Sequence, residues 1–142
     1  MIPRIHIITL GVADLEKSRA FYRDGLGFPL SPSSQDSIAF FQLGGLVLSL
    51  YPYSDAKDEA EYFSRKSDGY GGIGLAHNCK SKDEVNEVIA LAEAAGATII
   101  KPPVDVFWGG YSGYFLDPDG HPWEVAWNPF FNFDENMNLQ IG

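Results

Sequence analysis

The side chains best suited to chemistry in this sequence are three histidines, one cysteine and a carboxylate, Glu124, set in an aromatic stretch. The single cysteine, Cys79, excludes an internal disulfide and any cysteine metal cluster. It falls in a strand-like run, where a buried, inert thiol is expected rather than a nucleophile. Serine, histidine and aspartate all occur, but no serine sits in the strand-to-helix elbow of a hydrolase triad. The glycines do not lead from a strand into a helix N-terminus, so they form no phosphate cradle. The segment "WGGYSGY" sets Trp108 and two tyrosines among glycines. That composition suits a mobile aromatic rim, and equally a glycine-bent hairpin packed in a core.

Elements must position these groups. Ile5 to Val12 reads as a strand, and Asp14 as the cap of a helix whose stripe is Leu15, Ala20, Phe21 and Leu26. Gly25 and Gly27 stop that helix. Strands Ile38–Leu43 and Leu46–Tyr51 meet at Gly44-Gly45, a hairpin signal because glycine accepts the positive φ of tight turns. A third strand of this half is expected near Leu30. Residues 53–68 read as a polar connection.

The order then repeats. Gly71–Cys79 reads as a strand, and Ser81–Ala95 as a helix with Ser81 and Glu84 in capping-box spacing. Its stripe is Val85, Val88, Ile89, Leu91 and Ala92, and Gly96 ends it. Thr98–Lys101 is a strand, with Val104–Phe107 its continuation after the Pro102-Pro103 break. Gly113–Leu116 and Trp123–Trp127 follow, joined by the turn Asp117-Pro118-Asp119-Gly120. Residues 129–142 form a tail whose Phe130, Phe131 and Phe133 pack on the body or on a partner subunit. An internal duplication is the most economical reading.

The chain has 142 residues, enough for one domain with a substantial core. Net charge is −9, from 10 basic and 19 acidic residues, without a lysine or arginine cluster. A nucleic-acid partner is therefore not expected. The acidity favours solubility and mildly favours cationic ligands. Aromatic residues reach 14% and gather at Phe40–Tyr53 and Trp108–Trp127, as in cores or ligand cavities. No basic-then-apolar leader and no apolar run near twenty residues is present, so a soluble, cytoplasmic protein without membrane contact is expected.

Two stretches carry a resemblance. "ITLGVADLEKSRAFYRDGLGF" is similar to the strand, Asp-Leu, helix, Phe-Tyr and Leu-Gly signature of the vicinal oxygen chelate superfamily. This is the superfamily of glyoxalases, bleomycin resistance proteins and extradiol dioxygenases. "AGATIIKPPVDVFWGGYSGYFLDPDGHPWEVAW" resembles its closing segment, including the DPDG turn. Together they span about residues 2–128. The resemblance implies an α+β fold of two tandem βαβββ modules, a curved mixed sheet around a central cavity. The modules would be residues 2–52 and 69–128 of a single domain, with 129–142 as the tail.

The resemblance also implies four inward strand positions that carry a divalent metal in the metal enzymes. They fall on Ile7, Ser49, Gly74 and Glu124. One carboxylate, one hydroxyl and two residues without donor atoms do not make a site for an ion needing three or more N, O or S ligands. No metal or other cofactor is therefore expected. A one-residue slip reverses a strand's faces. With Ile7 inward, Ile5, Thr9 and Gly11 join it, while His6, Ile8, Leu10 and Val12 turn toward the helix. His77 likewise shares a face with Ile73, Leu75 and Cys79, away from Gly74. His121 follows the DPDG turn and is expected to cap it.

The functional expectation is a glyoxalase/bleomycin-resistance-like protein that binds a small amphipathic or cationic ligand without metal. Ser49, Gly74, Trp108, Tyr114 and Glu124 are the ligand-binding candidates. Gly74 opens space for a close backbone approach, although Trp108, Tyr111, Tyr114 and Phe115 could fill that space instead. Glu124 is the catalytic candidate if the protein is a metal-independent enzyme, and its structural role would be a bond, across the module interface, to Ser49 or to a tyrosine hydroxyl. The other alternative is a metal-dependent lyase or dioxygenase with an atypical ligand set. A homodimer is expected, with the tail aromatics as the contact.

Overall fold

The computed structural model describes residues 1–52 and 73–141. The chain divides into two compact units, Met1–Gly72 and Ile73–Gly142. The connection expected over 53–68 lies outside the described residues.

In the first unit, β1 (Ile7–Val12) lies parallel to β3 (Leu46–Pro52), and β2 (Ala39–Leu43) runs antiparallel to β3, giving the order β1-β3-β2. Alternation sorts the residues: Leu10 and Val12 are buried, whereas Ile7 keeps 52% of its surface. Helix α1 (Leu15–Ala20) starts where the Asp14 carboxylate accepts from the Lys17 N–H at 3.1 Å. It runs on into a π-helical stretch, Phe21–Gly25. Tyr22 packs there against Phe28 and Phe41, with ring centroids 5.7 and 6.1 Å away. These aromatics form the core between α1 and the sheet face that carries Phe41.

The strand expected near Leu30 is reduced to an isolated antiparallel bridge, Leu30 to Phe41. Pro29 and Pro32 flank it and have no N–H to extend a ladder. Gly44 takes φ +63° in the hairpin turn, as a tight turn requires.

The second unit is a complete βαβββ. Strand β4 (Leu75–Cys79), helix α2 (Lys82–Ala94), β5 (Thr98–Asp105), β6 (Tyr111–Leu116) and β7 (Pro122–Trp127) form a sheet of order β4-β7-β6-β5. The first strand again lies parallel to the last, so the wiring of the first unit recurs. The fold is α+β, with two mixed sheets. Strand β4 starts at Leu75, after Ile73 and Gly74 of the expected Gly71–Cys79 run, whose first two residues lie outside the described residues. Gly74 just before it has no side chain to pack and a large entropy to lose.

Ser81 caps α2, its Oγ accepting from the Glu84 N–H at 3.1 Å. The return bond of the capping box goes one residue further back, from the Lys80 N–H to Glu84 Oε2 at 2.5 Å. Val85, Ile89 and Ala92 are buried. The stripe is narrower than expected, since Leu91 remains 48% exposed.

Helix α2 covers one face of the sheet. The Tyr111 hydroxyl donates to Asn86 Oδ1 at 2.7 Å, and the Lys82 ammonium lies 5.7 and 5.8 Å from the ring centres of Tyr111 and Trp127. Phe115 stacks on Trp123 at 6.0 Å on the same face. Tyr111 and Phe115 thus belong to the helix side of the sheet.

Strand β5 is continuous where two pieces were expected. It crosses Pro102-Pro103 by shifting register between Ile99 and Lys101 and again before Val104. The DPDG turn closes through Gly120 N–H to Asp117 O at 3.0 Å, while Asp117 Oδ1 accepts from the N–H groups of Asp119 and His121. In the tail, β8 (Phe131–Phe133) pairs with β9 (Leu139–Ile141). Among the described residues no helix is long and apolar enough to cross a membrane.

Candidate functional site

Register sets one row of side chains across the second sheet: Ala76 opposite Glu124, Glu124 opposite Tyr114, and Tyr114 opposite Lys101. The neighbouring rows carry Phe115 with Trp123 and Gly113 with Val125 on the α2 face, so this row lies on the face turned away from α2. The Tyr114 hydroxyl donates to Glu124 Oε2. The Lys101 ammonium sits 5.8 Å from the centre of the Tyr114 ring. A cation, a phenol and a half-buried carboxylate therefore stand on three adjacent strands.

Removing a carboxylate from water is costly unless a donor or cation compensates, and the Tyr114 hydroxyl is such a donor. Glu124 is bonded to a tyrosine hydroxyl, but that tyrosine stands on the adjacent strand of the same unit, not across the module interface as expected. Among the described residues no donor reaches its Oε1. A bound ligand's hydroxyl or ammonium can donate there.

The other candidates lie elsewhere. Ser49 belongs to the first unit, where it is flanked by Thr9 and Phe40 on the face turned away from α1. It is 1% exposed, and its Oγ has no hydrogen-bond partner. In the repeated wiring β3 corresponds to β7, so Ser49 and Glu124 hold equivalent places. Ile7 pairs with Val47, two residues before Ser49. Gly74 precedes Leu75, whose partner is Trp123, and so falls beside Pro122, two residues before Glu124. Trp108 lies between β5 and β6 and is 37% exposed. Its ring lies across Gly110, where an added Cβ would come within 1.9 Å of it.

Lys101 was not legible as a site residue. With Ile99 opposite Phe115, regular pairing would set Ile100 opposite Tyr114; the register shift delivers Lys101 instead. The adjacent proline pair was the only signal.

The family metal does not fit these residues. Ile7 and Gly74 offer no donor atom, and Glu124 Oε2 is engaged by Tyr114. Among the described residues no group of three His, Cys, Asp or Glu side chains could hold an ion.

His6 precedes β1 and is exposed, its carbonyl accepting from the Val47 N–H. His77 pairs with Val125 on the α2 face. His77 is exposed on the edge strand, but desolvation by the atoms around its ring pushes its pKa below the usual histidine value, against a smaller upward pull from Glu84. A lowered folded value makes protonation favour unfolding. The stability that neutral His77 contributes is present above about pH 6.5 and is lost as pH falls through its lowered folded value. The urea midpoint of the wild type should therefore drop between pH 7 and pH 5 by more than that of His77→Gln. An identical drop in both would exclude this role.

Cys79 is 3% exposed. Burial pushes its thiol up to about 12 from 9.0, with Glu84 and Glu87 adding to the shift. At neutral pH the thiolate is then roughly a thousandfold scarcer than for an ordinary thiol. Iodoacetamide should label the native protein at pH 8 on the order of a thousand times more slowly than the urea-unfolded chain. Comparable rates would contradict the burial. A concavity of about 250 Å³ adjoins this thiol, lined by Lys80, Trp127, Phe131, Asn132 and Phe133.

The family model for the Glyoxalase/Bleomycin resistance protein/Dioxygenase superfamily matches residues 4–125. The chain is 30% identical over 125 residues to the glutathione transferase FosA of Serratia marcescens, covering 88% of this chain and 81% of that protein. It is 31% identical over 125 residues to the metallothiol transferase FosB of Staphylococcus epidermidis, covering 88% and 84%. Among solved structures, a glyoxalase-related enzyme from Fulvimarina pelagi superposes with a TM-score of 0.86 at 30% identity, covering 99% of both chains. With the motifs, the duplicated wiring and these likenesses together, the chain belongs to the glyoxalase/bleomycin resistance protein/dioxygenase superfamily.

Proposed function

We propose that this chain binds a small amphipathic or cationic molecule against the Glu124–Tyr114 pair, without a divalent metal. The observation that carries the reading is the half-buried carboxylate of Glu124, held on one oxygen by Tyr114 on the sheet face away from α2. Gly74 and Trp108, of the same unit, are the further ligand-binding residues of the proposal, and Ser49 is the residue at the equivalent place of the first unit. The net charge of −9 supports a cationic preference.

Calorimetric titration with benzylamine and benzoate, two probes of like size and opposite charge, tests it. Benzylamine should bind at least about tenfold more tightly, since one charge-assisted hydrogen bond contributes on the order of 1.5–3 kcal/mol. Glu124→Gln should erase that preference. Equal affinities in the wild type, or an unchanged preference in the variant, would sink the reading.

A second reading is favoured by the same bond. A phenol proton held on a carboxylate is a proton that the pair can exchange with a bound ligand, so Glu124 would act as acid or base in a metal-independent enzyme. A homodimer in the cytoplasm completes the proposal, with Phe130, 69% exposed, in its contact. Deleting residues 129–142 should then lower the mass in light scattering; an unchanged mass would argue against that contact.

A further inference from the structure

The donor set disagrees with the metal that the fold family implies, and the disagreement has a definite form. We infer that Tyr114 takes, at Glu124, the place of that metal: one oxygen of the carboxylate is held by a phenol, and the companion positions supply no donors that would draw an ion to the other. Register sets Tyr114 directly opposite Glu124, so the bond is made between neighbouring strands with no loop to order. It satisfies the carboxylate with a neutral donor, where a cation would otherwise be needed to offset desolvation.

Among the described residues no group of His, Cys, Asp or Glu side chains supplies the rest of a coordination sphere. The equivalent place in the first unit is Ser49, a hydroxyl whose Oγ is buried and unpartnered. The companion positions, Ile7 and Gly74, carry a hydrocarbon and a hydrogen. A divalent transition ion needs several N, O or S ligands, and a neutral hydroxyl is a poor substitute for imidazole or carboxylate. The inference does not depend on the ligand proposed above, because it concerns only what holds Glu124.

The test is metal titration of the full chain with Zn²⁺, Mn²⁺ and Ni²⁺ after chelator treatment, followed by calorimetry and by proton NMR of the hydroxyl region. No one-to-one uptake that depends on Glu124 is expected. A downfield hydroxyl resonance should be present in the wild type, survive one equivalent of Zn²⁺, and vanish in Tyr114→Phe. Uptake that is equal in wild type and Glu124→Gln also supports the inference, since the ion is then held elsewhere. One ion per chain whose binding Glu124→Gln abolishes, or loss of the hydroxyl resonance on adding the diamagnetic Zn²⁺, overturns it. Glu124→Gln keeps an acceptor facing Tyr114, and its tryptophan fluorescence checks that it folds. A failed benzylamine preference with these results unchanged would remove the proposed ligand and leave this inference standing.

Discussion

Phe41→Ala should lower the stability of the folded chain by about 3–5 kcal/mol, the largest effect expected of any single substitution considered. Phe41 is fully buried at the centre of the first unit, with Tyr22 at 6.1 Å and Phe28 at 6.3 Å between ring centres. Truncation removes the transfer energy of the ring and leaves a cavity that cannot collapse. Tyr22 is itself fully buried and wedged edge-on against Phe21 at 5.0 Å, so the neighbours have no slack. The melting temperature should fall by roughly 10 °C or more in thermal unfolding followed by circular dichroism. Phe40 provides the control, since it projects to the opposite face and is only half-buried. Equal losses from Phe40→Ala and Phe41→Ala would mean that the assigned faces of β2 are wrong.

Tyr114→Phe should cost about 1–3 kcal/mol although it removes a single oxygen. The loss is larger than the net value of an ordinary hydrogen bond because a half-buried carboxylate is left without its donor. Removing both members should cost less than removing one. Tyr114→Phe combined with Glu124→Met leaves no orphaned charge, and the double variant should recover part of the loss. The coupling, read from urea unfolding of the two single variants and the double, should lie between about 0.5 and 3 kcal/mol. A coupling near zero would show that the two side chains do not act as a pair.

The sequence made the helices and the site face legible, and the irregular edges less so. Helix α2 could be bounded because Ser81 and Gly96 mark its ends by local chemistry, independent of the rest of the fold. The face of Glu124 followed from the resemblance, which set it among the inward strand positions. Three features escaped. The strand near Leu30 failed because two prolines remove its donors, leaving one bridge. The stripe of α2 was overdrawn at Leu91, since an apolar residue on a helix flank need not be covered. Lys101 escaped because a bulge inverts the phase of alternation, and no pattern of period two can foresee where that happens. The partner of Glu124 was expected as Ser49 or a tyrosine across the module interface; register instead set Tyr114 beside it on the neighbouring strand of its own sheet.

The same proline pair has a second consequence, for how this chain behaves in a crowd. Strand β5 forms one edge of the second sheet. An open edge is a template on which other chains add strands and begin to aggregate. Pro102 and Pro103 have no N–H groups, so the donor row of β5 is interrupted there, and the register shifts break its regular course. Ile100 and Val104, both apolar and more than two-fifths exposed, are thereby kept from offering a flat, sticky ribbon. The irregularity that brings Lys101 opposite Tyr114 also guards the sheet against its own copies.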